Sequence, residues 1–267
     1  MNADMAPGIG LLAWSATGLT LICLLGWWVQ CRTRNAAHAD VIWAFGTGGV
    51  SLFYLLAGSG PVLLRLLAAM LIGAWAWRLG GHILRRVMAD GVEEGRYAAM
   101  REALGERIDL FHLFFFLGQG LLAWLFALPA WVIAFHPGPV VWPLVVLGVV
   151  IGTVALVGEK NADQQLDAFR RNPANRGRTC REGWWRYSRH PNYFFEWLHW
   201  FSYPLLAWGA PGAAWLWLAP VMMFLFLWFV TGIPYTERQA LKSRGDDYRA
   251  YQRSTSPFIP WRPRDGD

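Results

Sequence analysis

The sequence predicts an all-α polytopic membrane protein with seven transmembrane helices, and three observations support this fold class. Of the 267 residues, 55% are hydrophobic and 18 are tryptophan. Long uncharged stretches recur along the chain, and about 20 apolar helical residues are enough to cross the roughly 30 Å hydrocarbon core of a bilayer. Lys and Arg concentrate in alternate connecting segments, as they do in the cytoplasmic loops of membrane proteins.

Seven apolar stretches define the predicted spans. The first, Gly8 to Cys31, carries no charge and lacks the basic leader and cleavage pattern of a signal peptide, so we interpret it as a retained span. Six more are predicted at 40–57, 62–80, 110–135, 139–158, 193–209 and 213–234. Short turns containing Gly and Pro join three neighbouring pairs, at 58–61, 136–139 and 210–212. Asp40 interrupts the second span, and Glu196 and His199 interrupt the sixth.

The distribution of basic residues predicts the orientation. With these boundaries, 23 of the 24 Lys and Arg residues fall on one side of the membrane, and Arg65 falls on the other. Basic residues are enriched in cytoplasmic loops, and the predicted number of spans is odd. We therefore expect the N-terminus outside and the C-terminus in the cytoplasm of a bacterial inner membrane.

Composition argues against several other classes of protein. The three cysteines, Cys23, Cys31 and Cys180, have no paired spacing, which predicts neither a disulfide framework nor a metal site. The formal net charge of +6 follows from membrane topology and does not indicate a nucleic-acid partner. We expect a lipophilic small molecule and membrane lipids as partners, and no pattern defines an oligomeric state.

A basic loop follows the predicted fifth span. Eight Lys and Arg residues lie between Lys160 and Arg189, more than orientation requires. They form either a collar attracted to anionic lipid headgroups or a binding site for a phosphate-bearing ligand, which the planar guanidinium suits well. Both interpretations stay open at this point.

Two segments frame this loop. At its start, a helix that continues the fifth span would place Glu159, Asp163 and Arg170 on one face, lining a cavity or merely pairing with nearby arginines. At its end, a turn at Pro191 leads into an apolar span that contains Glu196. A carboxylate inside hydrocarbon is costly unless it lines a site, which an interfacial belt of aromatic residues would not explain.

The segment from Arg189 to Glu196, Arg-His-Pro-Asn-Tyr-Phe-x-Glu, resembles the signature of the steroid 5-alpha-reductase-like membrane reductases and of their bacterial branch, whose substrates are mostly unassigned. Without gaps from Glu159 onward, further residues match the steroid reductases: Asp163, Arg170, Arg178, Gly183, Tyr187, Asn192 and Glu196. Upstream, Gly95-Arg96-Tyr97 resembles the basic loop that meets the adenosine phosphate end of NADPH in that family.

The resemblance also has departures. His82 aligns with a tyrosine that binds the substrate ketone, Asp40 with a substrate-binding glutamate, and Glu159 with an asparagine. The segment 235–238 has no convincing match to the cofactor-contacting residues of the family's last cytoplasmic segment.

The resemblance implies an NADPH-dependent reductase, acting on a carbon–carbon double bond conjugated to a carbonyl in a lipophilic substrate such as a 3-oxo-4-ene steroid. It implies Asp40 and His82 as catalytic acids, although Asp40 has an alternative role at the N-terminus of the second span. The implied cofactor-binding residues are Arg96, Tyr97, Glu159, Asp163, Arg170, Arg178, Tyr187, Arg189, His190, Asn192, Tyr193 and Glu196.

The implied organisation is a single domain, 1–267, with spans 8–135 on the substrate side and 139–267 on the cofactor side, facing the cytoplasm. No Gly-x-Gly-x-x-Gly fingerprint is present, so a Rossmann site is not expected.

Two other functions compete with the reductase. An Arg-His-Pro-x-Tyr segment near a late span also occurs in membrane methyltransferases of the isoprenylcysteine carboxyl type, which bind S-adenosylmethionine. The arginine set suits a 2'-phosphate better than a sulfonium cofactor. A transporter or lipid-binding protein could also bury several polar residues along a pathway: Asp40, Arg78, Glu196 and His199. The chain shows neither the internal repeats nor the paired broken helices that are usual in transporters.

Overall fold

The computed structural model describes residues 6–90, 95–230 and 232–264, which contain helices and no strands. The all-α prediction is therefore confirmed. Ten α-helices lie in these ranges: α1 (Ala6–Thr33), α2 (His38–Ala57), α3 (Val62–Asp90), α4 (Gly95–Leu104), α5 (Ile108–Ala134), α6 (Trp142–Arg171), α7 (Pro191–His199), α8 (Ser202–Leu206), α9 (Leu218–Leu225) and α10 (Ile233–Ser254).

Six helical stretches in the described ranges are long and apolar enough to cross a membrane: Gly8–Thr33, His38–Ala57, Val62–Met88, Tyr97–Ala134, Trp142–Arg171 and Ala213–Ser254. They identify the chain as an integral membrane protein. The last stretch is apolar only in its first half. Its second half is α10, in which eight of the 22 residues are Asp, Glu, Lys or Arg, so we place α10 outside the bilayer.

The predicted sixth span, 193–209, is not one continuous helix. Helix α7 ends where the Trp200 and Phe201 N–H groups donate to carbonyls three residues back, and α8 begins at Ser202. Pro204 has no N–H to donate, so it cannot continue the α-helical hydrogen bonding of the preceding turn. The apolar composition alone did not reveal this break.

The chain divides into two compact units, and the first comprises Met1–Val145 and Tyr203–Leu216. Its core lies between α1, α2, α3 and α5. Trp43 of α2 makes edge-on ring contacts with Trp75 of α3 at 5.5 Å and Phe126 of α5 at 6.1 Å. Such aromatic pairs add about 0.5–1.5 kcal/mol beyond the area that they bury.

Arg65, the one basic residue predicted on the far side, has a local structural role. Its Nη1 donates to the Leu55 carbonyl at 2.7 Å and its Nε to the Gly60 carbonyl at 3.0 Å. The last carbonyls of a helix lack intrahelical donors and carry partial negative charge, so a guanidinium at the end of α2 is favourable.

The second unit comprises Val146–Ser202 and Trp217–Asp267. Helix α6 runs past the apolar stretch to Arg171, as the sequence predicted. It packs closely on α7, because a Cβ at Gly158 would lie 2.4 Å from the Phe195 ring, a distance that only glycine tolerates. Residues 218–230 form α9 and a π-helical turn, and α10 follows with a kink at Gly245.

Candidate functional site

In the second unit, the polar end of α6 forms a platform for the loop that follows it. Trp185 Nε1 donates to the Ala162 carbonyl, and Trp184 N donates to Gln165 Oε1, both at 2.8 Å. Gly183 makes this approach possible: its φ is +56°, and a Cβ there would lie 2.3 Å from Gln165 Oε1. Both the left-handed backbone and the lack of space favour glycine.

The structure brings two predicted site residues together on this platform. Asn192, at the start of α7, donates from Nδ2 to Asp163 Oδ1 of α6 at 3.2 Å. Both side chains are partly exposed. A partly exposed carboxylate next to a carboxamide offers both acceptors and donors to hydroxyl or amide groups of a ligand.

Among the described residues of this unit, Glu159 and Glu196 are the buried carboxylates. Each is 5% exposed. Glu159 lies one turn before Asp163 on α6, and Glu196 Oε1 accepts from Trp200 Nε1 at 3.0 Å. The prediction that Glu196 does not simply face lipid is consistent with this burial.

Arg170 and Arg178 are exposed and, within the ranges that the structure describes, form no ion pair and no side-chain hydrogen bond. A third cation, Arg244 of α10, is close enough to interact with Arg170. Burial lowers the pKa of Arg244, and the charge of Arg170 acts in the same direction. The guanidinium groups of Arg170 and Arg178 are therefore available to an anion such as a phosphate.

Arg189 and His190 contact the C-terminal part of the chain. Arg189 Nε donates to Glu237 Oε1 at 2.7 Å, and its Nη1 donates to the carbonyls of Gln252 and Thr255 at 3.0 and 2.8 Å. His190 Nε2 lies 3.2 Å from the same Glu237 oxygen. The predicted role of these two residues in cofactor binding stays a prediction, but their protein contacts hold α7 to α10.

Burial and hydrogen bonding act in opposite directions on Glu237. Burial alone would raise its pKa, but the hydrogen bonds from His190 and Arg189 outweigh it and lower the pKa to about 2. Burial lowers the pKa of His190, which the hydrogen bond and charge of Glu237 offset only in part. At neutral pH the network is therefore an Arg189–Glu237 ion pair to which a neutral imidazole donates.

The last described residues, Thr255–Arg264, lie along the loop before α7, and we call them the C-terminal strap. Ser188 Oγ donates to the Phe258 carbonyl at 2.7 Å, and Arg189 N donates to the Ser256 carbonyl at 2.8 Å. Tyr251 donates its hydroxyl proton to the carbonyls of Trp185 and Ser188. The Arg189–Glu196 segment is thus fixed from two sides, by α6 and by the chain end.

Two predicted tyrosines lie near this network. Tyr193 stacks on His190, with ring centroids 5.4 Å apart, and its hydroxyl lies 3.2 Å from Thr236 Oγ1. Tyr187 is exposed and lines a shallow cavity of about 440 Å³ with Trp184, Pro260, Trp261 and Arg262. Its phenol is accessible to a ligand, whereas that of Tyr193 is engaged with α10.

In the first unit, Asp40 has a hydrogen-bond partner that the sequence analysis did not assign to it. Tyr97, which is fully buried, donates its hydroxyl proton to Asp40 Oδ1 at 3.0 Å. His82 forms no side-chain hydrogen bond within the described residues, so the structure does not pair it with Asp40. Asp40 also lies in the first turn of α2, where the helix dipole favours a carboxylate. The side chain of Arg96 lies outside the described residues.

Sequence reasoning missed Glu237, which joins Arg189, His190, Tyr248 and Gln252. The segment 235–238 attracted attention only because it lacked a match to the reductase family. The sequence did contain a signal for Glu237: it is an acidic residue just after the last apolar stretch, in a region otherwise rich in Arg and Lys.

Comparison with known proteins identifies a family without an assigned activity. Residues 26–255 match the family described as protein of unknown function (DUF1295), which is associated with steroid 5-alpha-reductase-like proteins. The chain is similar to the uncharacterized protein C594.04c of Schizosaccharomyces pombe (strain 972 / ATCC 24843), with 28% identity over 274 residues, covering 91% of this chain and 78% of that protein. No solved structure matches the chain.

Proposed function

The chain belongs to the DUF1295 family, and we propose that it is an NADPH-dependent membrane reductase. Its substrate would be a lipophilic molecule with a carbon–carbon double bond conjugated to a carbonyl, such as a 3-oxo-4-ene steroid. One arrangement carries the proposal: the Asp163–Asn192 hydrogen bond on α6 and α7 lies in the same unit as the exposed Arg170 and Arg178, which have no anionic partner among the described residues. This donor set suits a ligand with phosphates and with hydroxyl or amide groups.

We assign the cofactor contacts accordingly. Arg96, Arg170 and Arg178 would bind the phosphates through charge-assisted hydrogen bonds. Asp163 and Asn192 would orient ribose or carboxamide groups, with Glu159, Glu196 and Tyr187 as further polar contacts. Bound NADPH would supply the hydride, which no protein side chain can donate.

The acid in this proposal is Asp40 with Tyr97, rather than Asp40 with His82. Reduction of an enone builds negative charge on the carbonyl oxygen, and donors placed at that oxygen stabilise it. The Tyr97 hydroxyl, which is shielded from water, donates its one proton to Asp40 Oδ1. The donor to the substrate oxygen would therefore be the second oxygen of a protonated Asp40 carboxyl, which Tyr97 holds in position. Loss of one such donor lowers the rate roughly 10²–10³-fold in studied enzymes.

The proposal keeps the seven-span topology, in which α7 and α8 form a broken sixth span. The N-terminus would lie outside and the C-terminus in the cytoplasm of a bacterial inner membrane, with the cofactor residues on the cytoplasmic side. Polar residues in broken membrane helices are tolerated where they line a cavity, which fits the burial of Glu196 in α7.

Ligand-dependent thermal stability tests the proposal. The protein, purified in detergent, is melted with NADPH, NADH and S-adenosylmethionine. A ligand at about a hundred times its Kd adds about 2.7 kcal/mol of apparent stability. NADPH should stabilise more than NADH, and Arg178→Gln should weaken the effect of NADPH. Arg176→Gln is the matched control, because Arg176 is an exposed arginine of the same loop to which we assign no role.

A turnover assay separates effects on cofactor binding from effects on the reduction step. Asp40→Asn and Tyr97→Phe should lower enone-dependent NADPH oxidation by at least about tenfold while the stabilisation by NADPH persists. Stabilisation by S-adenosylmethionine alone would instead favour a methyltransferase. No response to any of the three ligands would favour a transporter or lipid-binding protein.

A further inference from the structure

We propose that the C-terminal strap, Thr255–Arg264, binds the phosphate of an anionic phospholipid headgroup at the membrane surface. The binding groups are Arg253 at the end of α10 and Arg262 and Arg264 of the strap. This inference does not depend on the reductase proposal, because it concerns a different group of arginines and a different ligand.

The strap is anchored where an apolar stretch ends. Phe258 is buried, and its ring centroid lies 5.4 Å from that of Phe224 and 5.9 Å from that of Trp228, both in the last apolar stretch. It also contacts Trp197 of α7 at 5.6 Å. Because the polar helix α10 follows directly, the strap lies at the level where the chain passes from hydrocarbon to water.

A cationic cavity of about 210 Å³ opens beside this anchor. It is lined by Arg189, Gln252, Arg253, Ser254, Thr255, Ser256, Pro257, Trp261, Arg262 and Arg264. The charge of Arg189 is compensated by Glu237. In contrast, Arg253, Arg262 and Arg264 are exposed and make no side-chain hydrogen bond or ion pair within the described part of the chain.

The cavity is closed on one side by backbone, since Arg264 N donates to the Ser254 carbonyl at 2.8 Å. This hydrogen bond brings the end of the strap back to the end of α10, and with it Arg264 back to Arg253. Three guanidinium groups around a cavity this small suit one phosphate, because each can donate two parallel hydrogen bonds to its oxygens.

The apolar neighbours favour a lipid over a soluble phosphate. Trp261 is 73% exposed and Ile259 is 54% exposed, next to the buried Phe258. A soluble ligand would leave both side chains in water, whereas a membrane surface would cover them, and tryptophan is enriched at that interface. Anionic lipids attract basic residues at that surface.

The test measures lipid binding to the full chain in mild detergent, in the absence of nucleotide. Phosphatidylglycerol and phosphatidylcholine with the same acyl chains are titrated and counted by native mass spectrometry. We expect tighter binding of phosphatidylglycerol, and the double variant Arg262→Gln/Arg264→Gln should weaken it by about tenfold or more while phosphatidylcholine binding is unchanged. The full chain is needed because Asp265 and Asp267 follow the strap in the sequence.

The control is Arg238→Gln/Lys242→Gln, which removes two exposed cations of α10 that do not line the cavity. Equal binding of the two lipids, or an equal loss in the control and the strap variant, would overturn the inference. Displacement of phosphatidylglycerol by inorganic phosphate or NADPH would also overturn it and assign the cavity to a soluble ligand. Melting curves test whether both double variants fold. Arg253→Gln, which removes the cavity arginine of α10, replaces the strap variant if that variant does not fold.

Discussion

Replacing Glu237 by glutamine should destabilise the protein more than any other single loss of charge in α10. The Glu237 side chain is 16% exposed and that of Arg189, its ion-pair partner, is 11% exposed. Glutamine keeps the shape but removes the charge, and its NH₂ group brings a donor into a site that already has donors from Arg189, His190 and Gln252. The largely buried guanidinium of Arg189 would then lack its counter-charge.

The size of the effect follows from the contacts. Lowering the Glu237 pKa from 4.5 to about 2 corresponds to about 3 kcal/mol in favour of the ionised form. Removing one partner of a buried ion pair costs about 3–5 kcal/mol in other proteins. A loss of about 3 kcal/mol would lower the Tm of a chain of this size by roughly 6–12 °C.

Melting in detergent at pH 7, followed by fluorescence, measures this effect. Asp246→Asn is the matched control, because Asp246 lies on the same helix and pairs with Arg249 at 2.8 Å, but its side chain is 94% exposed. Exposed pairs of this kind contribute about 0–1 kcal/mol. If Glu237→Gln lowers the Tm no more than Asp246→Asn does, the network does not hold α7 to α10.

Three further predictions use the same protein. Because the pKa of His190 is lowered in the folded protein, the unfolded chain binds more protons than the folded chain below about pH 6.5. The free energy of unfolding should therefore fall as the pH drops from 7.5 to 5. In melts across this range, His190→Gln should show a smaller loss of stability at low pH. Gly183→Ala should lower the Tm more than Gly177→Ala. Both glycines have a positive φ, so both variants bear the cost of a left-handed backbone, about 1–2 kcal/mol. Of the two, only Gly183 would place its Cβ within 4 Å of a neighbour. Asp163→Asn should weaken stabilisation by NADPH in a titration while changing the Tm of the ligand-free protein little, because its carboxylate is partly exposed.

The sequence predicted those features that depend on the chain's local pattern. The length of the uncharged segments located the six apolar stretches, and helical spacing placed Glu159 and Asp163 on one face of an extended α6. These predictions succeeded because the bilayer and the helix repeat act on residues close together in the sequence. The break between α7 and α8 escaped, because it depends on how the turn around Trp200 is hydrogen-bonded rather than on hydropathy.

Long-range partners could not be read in the same way. Asp40 contacts Tyr97, 57 residues later, and Arg189 contacts Glu237, 48 residues later. Helical periodicity gives the faces of a helix but not the rotation of one helix against another, so it could not pair Asp40 with Tyr97. The resemblance had assigned Tyr97 to the cofactor, and the catalytic role of His82 stays a prediction.

The contacts of Arg189 and His190 also explain why their motif is a weak guide to the reaction. Both side chains bind Glu237, and Arg189 also binds carbonyls at the end of α10 and in the strap. A membrane reductase and a membrane methyltransferase would each benefit from such a clamp, since each must fix the polar start of a late helix against the chain end. A variant of Arg189 therefore reports mainly on folding. The choice between the two proposed cofactors depends instead on Asp163 and Asn192 and on Arg170 and Arg178. These two arginines have no ion-pair partner among the described residues, and the phosphates of NADPH offer them more anionic oxygens than the single carboxylate of S-adenosylmethionine does.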